Sequence, residues 1–226
     1  MTIGPVSERL DLSFSFVTEV EAPPGITGEE LESLAAFVLA SEGKTGFWEV
    51  TVALVDDARL QSLHRDFMGI DTPTDIMTFP TDESAGEPQG GELAVSVDHA
   101  MTQAFGWGLL PSAEIAFLVV HGLLHLIGWR DETDEQRARM LSRQQDLIDR
   151  YAEQVAVSQR ALPHGAIDVH RNIGGLGDIG VVRALAVGVG RPVDLAAPRI
   201  RGDQHAPRPR GQPEGVERAH PVRRDV

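Results

Sequence analysis

Apolar and polar residues are arranged along the chain in patterns that predict four short strands. Residues 10–17 alternate between apolar and polar side chains, which is typical of a half-buried strand. Residues 47–55, 75–79 and 92–97 predict three more strands.

Capping residues mark the first three predicted helices. Thr27 begins a helix, and Glu30 three residues later completes a capping box. Asp56 is the predicted cap of a helix that runs to about Phe67, and Asp98 is the predicted cap of a third helix.

Two further helices follow. Residues 112–127 are apolar almost all round, so this helix is predicted to lie buried in the middle of the fold. Pro111 precedes it, and Gly128 ends it. Residues 131–151 form the last predicted helix, with an apolar face made by Met140, Leu141, Leu147, Ile148 and Tyr151.

The composition changes near Ser158. Gly, Pro and Arg accumulate, periodicity fades, and seven of the 14 prolines lie beyond residue 160. We therefore predict one folded domain over residues 1–157 and a poorly ordered tail over residues 158–226. Within the tail, only residues 179–189 are apolar enough to pack.

The formal charge of the whole chain is −14, and residues 1–160, with ten basic and 27 acidic residues, carry −17. Phosphate contacts favour Lys and Arg, so this charge counts against nucleic acid as a partner.

Cysteine is absent, which excludes disulfide partners and leaves His and carboxylate side chains to bind any metal. The first residues lack the pattern of a signal peptide. The longest apolar stretch, residues 115–127, is too short to cross a bilayer. The protein is therefore expected to be cytoplasmic and to have no membrane partner.

His121 and His125 are four residues apart on the apolar helix, which places both imidazoles on one face. Gly128 allows the chain to turn back, and Asp131 lies just beyond that turn. The three side chains predict a zinc site with an open fourth position, and such a position is typical of catalytic zinc.

These residues have three other interpretations. The histidines could be core residues, but each would then need its own buried partner. A zinc protease of the H-E-x-x-H type is disfavoured because Gly122 stands where the general base belongs. An iron site with two histidines and one carboxylate is disfavoured, because such sites generally take their ligands from separate strands and not from one helix and its turn.

Three sequence blocks carry a further signal. They are HGLLHLIGW (residues 121–129) with Asp131, DTPTDIMTFP (residues 71–80) and GELAVS (residues 91–96). In their order and spacing along the chain, they resemble the signature and two other segments of the YbeY endoribonucleases, also called rRNA maturation factors. The resemblance covers roughly residues 10–156.

The resemblance implies an α/β (α+β) fold, in which a small mixed four-stranded sheet packs with about five helices around a central metal-binding helix. It also implies one zinc per chain and cleavage of single-stranded RNA during 16S rRNA maturation and ribosome quality control. The expected reaction is hydrolysis by a metal-bound water, and the expected partners are ribosomal RNA and the small subunit. The alternatives are a non-catalytic, zinc-containing ribosome-assembly factor and a metal-dependent hydrolase of another substrate.

Two positions depart from the family pattern. Many members have His where this chain has Asp131, and many have an Arg where this chain has Met68. Phosphoryl chemistry favours a cation at the reacting group. Arg65, Arg130 and Arg137 are the candidates to replace the missing one.

Several polar residues near the matched blocks have less specific predictions. Thr74 and Asp75 are predicted to line a substrate-binding cleft, although Asp75 could instead hydrogen-bond a turn. Glu92 could act as a base, support a ligand, or lie on an edge strand. His64 and His99 are predicted to be surface residues or to support the ligands. No general base is assigned.

Overall fold

The computed structural model describes residues 9–81 and 88–161. Four strands and five helices follow one another in these ranges. They are β1 (Leu10–Thr18), α1 (Gly28–Ser41), β2 (Gly46–Val55), α2 (Asp57–Met68), β3 (Ile76–Pro80), β4 (Gln89–Ser96), α3 (Val97–Trp107), α4 (Pro111–Leu126) and α5 (Asp134–Ala161).

The four strands form one mixed sheet in the order β1-β2-β4-β3. β1 and β4 both pair with β2 in parallel, and β3 pairs with β4 antiparallel. The predicted fold class, a small mixed four-stranded sheet with about five helices, is therefore confirmed.

The sheet has a core on each face. The larger core joins the sheet to α1, α4 and α5, and the smaller one joins it to α2. Within the larger core, α4 is buried over most of its length, as its all-round hydrophobicity predicted. This helix crosses the sheet so closely that a Cβ at Gly122 would lie 2.7 Å from Leu93 Cδ2 and 2.8 Å from Ile76 Cδ1.

Local signals located three helix starts correctly. Thr27 and Glu30 form the predicted capping box of α1, and the Asp56 side chain accepts from the Arg59 N–H at the start of α2. Pro111 occupies the first turn of α4. Each signal acts within one helical turn, so it is readable from the sequence alone.

The predicted junction between β4 and α3 was wrong by a few residues. The strand spans Gln89–Ser96 and not residues 92–97, because the glycines after Gln89 still pair with β2. Ser96 caps α3 in place of Asp98, and its hydroxyl accepts from the His99 N–H. Asp98 instead accepts a hydrogen bond from the backbone N–H of Asp57.

The last helix also differs from its prediction of residues 131–151. It begins at Asp134, after reciprocal hydrogen bonds between Thr133 and Gln136, and it continues to Ala161. Asp131 therefore lies in the connection before the helix. The predicted tail and its apolar segment, residues 179–189, fall largely or wholly outside the described residues, so the domain boundary stays a prediction.

Among the described residues, no single helix is long and apolar enough to cross a membrane. α3 and α4 together meet the criterion of length and composition, but they are bent by 115° relative to each other. The apolar character of α4 is accounted for by its burial in the core.

The contact at Gly122 predicts that Gly122→Ala destabilises the protein. The free energy of unfolding should fall by roughly 1–3 kcal/mol, because the added methyl pushes two fully buried side chains apart. Alanine's better helix propensity, worth about 1 kcal/mol, offsets only part of this cost. Urea unfolding measures the change.

Gly106→Ala is the matched control, since a Cβ at this α3 position meets no atom within 4 Å. It should leave the stability unchanged or raise it by up to about 1 kcal/mol. Equal effects of the two substitutions would contradict the close packing of α4 on the sheet.

Candidate metal centre

His121 and His125 lie side by side on α4. Their ring centroids are 4.8 Å apart with an interplanar angle of 73°, and the residues are only 1% and 3% exposed. The spacing of four residues thus brings two imidazoles together inside the protein, as predicted.

A tight turn after α4 brings Asp131 back to the histidines. Gly128 has φ = 101°, a left-handed conformation that favours glycine, and its N–H donates to the His125 carbonyl. As a result, one ligand atom from each of His121, His125 and Asp131 lies within 4.8 Å of the others.

The connection that carries Asp131 is anchored at both ends. Glu42, after α1, accepts from Trp129 Nε1 at 3.0 Å and from Arg143 Nε at 2.6 Å. Arg137 Nη2 donates to the Asp131 carbonyl at 3.2 Å, and its Nε lies 3.9 Å from Asp131 Oδ2. These contacts tie the third ligand to α1 and α5.

The donor set fits a divalent transition metal. Two imidazoles and one carboxylate are suitable ligands for zinc at distances of ~2.0–2.2 Å, and three protein ligands leave a coordination position for water or substrate. The cluster could therefore hold a metal ion of the kind predicted from the sequence.

Thr74 and Asp75, the predicted substrate-binding residues, are both buried. Asp75 accepts from the Ile76 N–H at 2.9 Å and from Gln103 Nε2 at 3.3 Å, while Thr74 donates to the Ile76 carbonyl. These bonds stabilise the start of β3. Contact of either residue with a substrate stays a prediction.

Asp75 also interacts electrostatically with His121, one of the three candidate ligands. Burial raises the pKa of its carboxyl, while His121 and the hydrogen bond from Gln103 act in the opposite direction. The three candidate ligands, of which only Asp131 is a carboxylate, therefore have a second carboxyl group near them, and this one is buried.

The two other histidines among the described residues, His64 and His99, have different environments. His64 is buried and its Nδ1 donates to the Thr72 carbonyl at 2.8 Å, so it is not the surface residue allowed by the prediction. His99 is partly exposed and its Nδ1 lies 2.7 Å from Asp57 Oδ1. Burial alone would raise the pKa of Asp57, but hydrogen bonds from His99 and Ser96 outweigh it and hold the pKa below its ordinary value.

Glu92 does not lie on an edge strand, because β4 is flanked by β2 and β3. Its neighbours Gly91 and Leu93 face α4, where they meet Leu126 and Gly122. Side chains alternate along a strand, so Glu92 projects from the opposite face of the sheet. This placement argues against Glu92 as a base at the metal centre.

Among the three candidate cations, Arg137 is the one placed against a ligand. Arg65 pairs with Asp66 and Asp71, and Arg130 pairs with Glu132, all in exposed positions. Met68 packs against the smaller core under α2 and supplies no charge.

Sequence reasoning missed Gln144. This residue is fully buried on the inner face of α5, where its side chain reaches both His121 and the Phe117 carbonyl. A signal was present in the sequence, since a Gln lies among Met140, Leu147 and Ile148 on the predicted apolar face.

The fold and the converging ligands define a class, an α/β protein built around a candidate metal centre. The family model described as Endoribonuclease YbeY matches residues 19–152 of this chain. The chain therefore belongs to the endoribonuclease YbeY family, a family of nucleases within the hydrolases.

Individual relatives agree. Endoribonuclease YbeY of Bacillus velezensis is 32% identical over 152 residues, covering 63% of this chain and 97% of the relative. Endoribonuclease YbeY of Moorella thermoacetica is 38% identical over 135 residues, covering 54% and 86%. Nearly whole relatives thus align with part of this chain.

The geometry predicts that Asp131→Ala weakens zinc binding by at least about 10-fold, because one of three ligands is lost. Competition with a chromophoric chelator measures the affinity. Glu132→Ala is the matched control, since Glu132 is adjacent but exposed and pairs with Arg130. If Asp131→Ala binds zinc as tightly as the parent, the ligand assignment is wrong.

Proposed function

We propose that the protein is a zinc-dependent endoribonuclease that hydrolyses single-stranded RNA, with one zinc per chain bound by His121, His125 and Asp131. The observation that carries the proposal is the convergence of these three ligand atoms within 4.8 Å, in a chain of the YbeY family. The name that its relatives share, endoribonuclease, supports RNA as the substrate.

When bound, zinc would lower the pKa of a water molecule and polarise a phosphate oxygen. Asp131 neutralises more of the charge of the ion than a third histidine would. We therefore expect a weaker effect on the water than in a three-histidine site. The buried histidines position the ion, and Arg137 holds the carbonyl of the third ligand residue.

Arg137 is proposed as the cation that balances charge on the scissile phosphate, in place of the Arg that many relatives have at the position of Met68. Its side chain is 23% exposed and already lies beside Asp131. A planar guanidinium can donate to carboxylate and phosphate oxygens, and partial burial strengthens such contacts.

The proposed setting is the cytoplasm, with ribosomal RNA and the small subunit as partners, in 16S rRNA maturation and ribosome quality control. Family membership supports it. The formal charge of −17 over residues 1–160 means that long-range electrostatic forces would repel RNA, so local contacts at the site have to supply the binding.

A second candidate is a non-catalytic, zinc-containing ribosome-assembly factor. Met68 in the position of a cation and the acidic body favour it. Hydrolysis of peptides is disfavoured more strongly than the sequence indicated. The sheet packs so closely against Gly122 that no larger side chain, and so no general base, fits at that position.

The nuclease proposal predicts that purified protein cleaves single-stranded RNA only while metal is present. A chelator should abolish cleavage, and added zinc should restore it. His121→Ala should be inactive with or without zinc. Gel analysis of an end-labelled RNA measures cleavage, and its absence from zinc-loaded parent protein would favour the assembly factor.

Arg137→Ala should lower the kcat of the zinc-loaded enzyme roughly 100-fold, since the lost contact acts on the reacting phosphate. Zinc affinity should fall much less than kcat, although the contact of Arg137 with Asp131 is also lost. Arg130→Ala, which removes an exposed arginine of the same connection, should change neither quantity. A large loss of zinc affinity in Arg137→Ala would show that Arg137 only holds the Asp131 segment in place.

A further inference from the structure

We propose that Gln144 is a positioning residue that fixes the tautomer and orientation of His121 for metal binding. The inference rests on the proposed metal centre and extends it to α5. It assigns a role to a buried polar residue that the proposed reaction does not otherwise use.

Gln144 bridges α4 and α5. Its Nε2 donates to the Phe117 carbonyl at 2.7 Å, and its Oε1 lies 3.1 Å from His121 Nδ1. The residue has no solvent exposure, so water cannot replace either bond.

The chemistry of the two partners fixes the direction of both hydrogen bonds. A backbone carbonyl only accepts, so the amide NH2 of Gln144 must face Phe117. The amide oxygen therefore faces His121, and an amide oxygen also only accepts. Nδ1 of His121 must then carry the proton, which makes Nε2 the nitrogen with the lone pair that a metal requires.

The same bond has two further effects on His121. It holds the ring in one orientation, and an acceptor on Nδ1–H makes the opposite nitrogen a stronger ligand. Because Gln144 belongs to α5, the metal affinity of a residue on α4 depends on the docking of a helix that follows it in the chain. Zinc binding and the packing of α5 should therefore be thermodynamically linked.

The neighbouring Gln145 provides a matched control. It lies on the same helix and also makes a side-chain hydrogen bond, from Nε2 to Asp149 Oδ1 at 2.9 Å, but it contacts no metal ligand in the described structure. Replacement of each glutamine by Met keeps the length of the side chain and removes the amide.

The test compares Gln144→Met, Gln144→Glu and Gln145→Met in the full chain by zinc competition and by urea unfolding of the metal-free protein. Gln144→Met should lose roughly 10–100-fold in zinc affinity, and Gln145→Met should match the parent. Gln144→Glu should keep at least parental affinity, because a carboxylate also accepts from Nδ1–H.

Stability should follow a different order. Gln144→Glu loses the donor to the Phe117 carbonyl and buries a carboxylate, so the metal-free protein should be less stable than the parent. A variant that is less stable yet binds zinc fully cannot be explained by a merely structural role. Nitrogen-15 spectra of histidine-labelled, metal-free parent should also show the Nδ1–H tautomer for the signal that His121→Ala removes.

Two results would overturn the inference while leaving the metal centre intact. One is parental zinc affinity in Gln144→Met, and the other is a loss of affinity in that variant that Gln144→Glu does not restore. A parent protein that binds no zinc would overturn the proposed centre itself, and the inference with it.

Discussion

The structure depends on the burial of two imidazoles within an apolar helix. Burying polar rings in a hydrophobic core is costly unless their nitrogen atoms have polar partners. The central position of α4 therefore depends on polar groups that other segments of the chain supply. Gln144 on α5 reaches His121, and the turn at Gly128 returns Asp131 to the histidine pair. The helix that organises the larger core is thus also the helix that requires α5 and the connection before it.

Charge is the second constraint. Residues 1–160 are strongly acidic, yet the proposed substrate is a polyanion and the proposed site contains two carboxyl groups, the buried Asp75 and the partly buried Asp131. A divalent cation would offset much of this local negative charge. Arg137, which lies against Asp131, adds a fixed positive charge at the same place. The metal ion and Arg137 together would then make the potential at the proposed centre favourable for a phosphate.

The two departures from the family pattern, Asp131 and Met68, have different consequences for the site. Asp131 keeps the geometry of a third ligand, because the connection and Arg137 hold it against the histidines. Met68 keeps only a packing role, since it fills space beside the smaller core under α2. The structure therefore supports the proposed metal ligands more fully than it supports a cation at the position of Met68.

The sequence by itself determined the features that depend on a few neighbouring residues. The spacing of His121 and His125, the capping box at Thr27 and the turn at Gly128 all act within one or two helical turns, so periodicity and residue type were sufficient. Tertiary structure decided which side chains from distant segments meet. Arg137, and not Arg65, lies beside Asp131, and Gln144 contacts His121. Glu92 projects from the face of the sheet opposite α4, and His64 is buried. These outcomes depend on how the strands pair and how the helices pack against the sheet and against one another, and the local pattern carries no information about that arrangement.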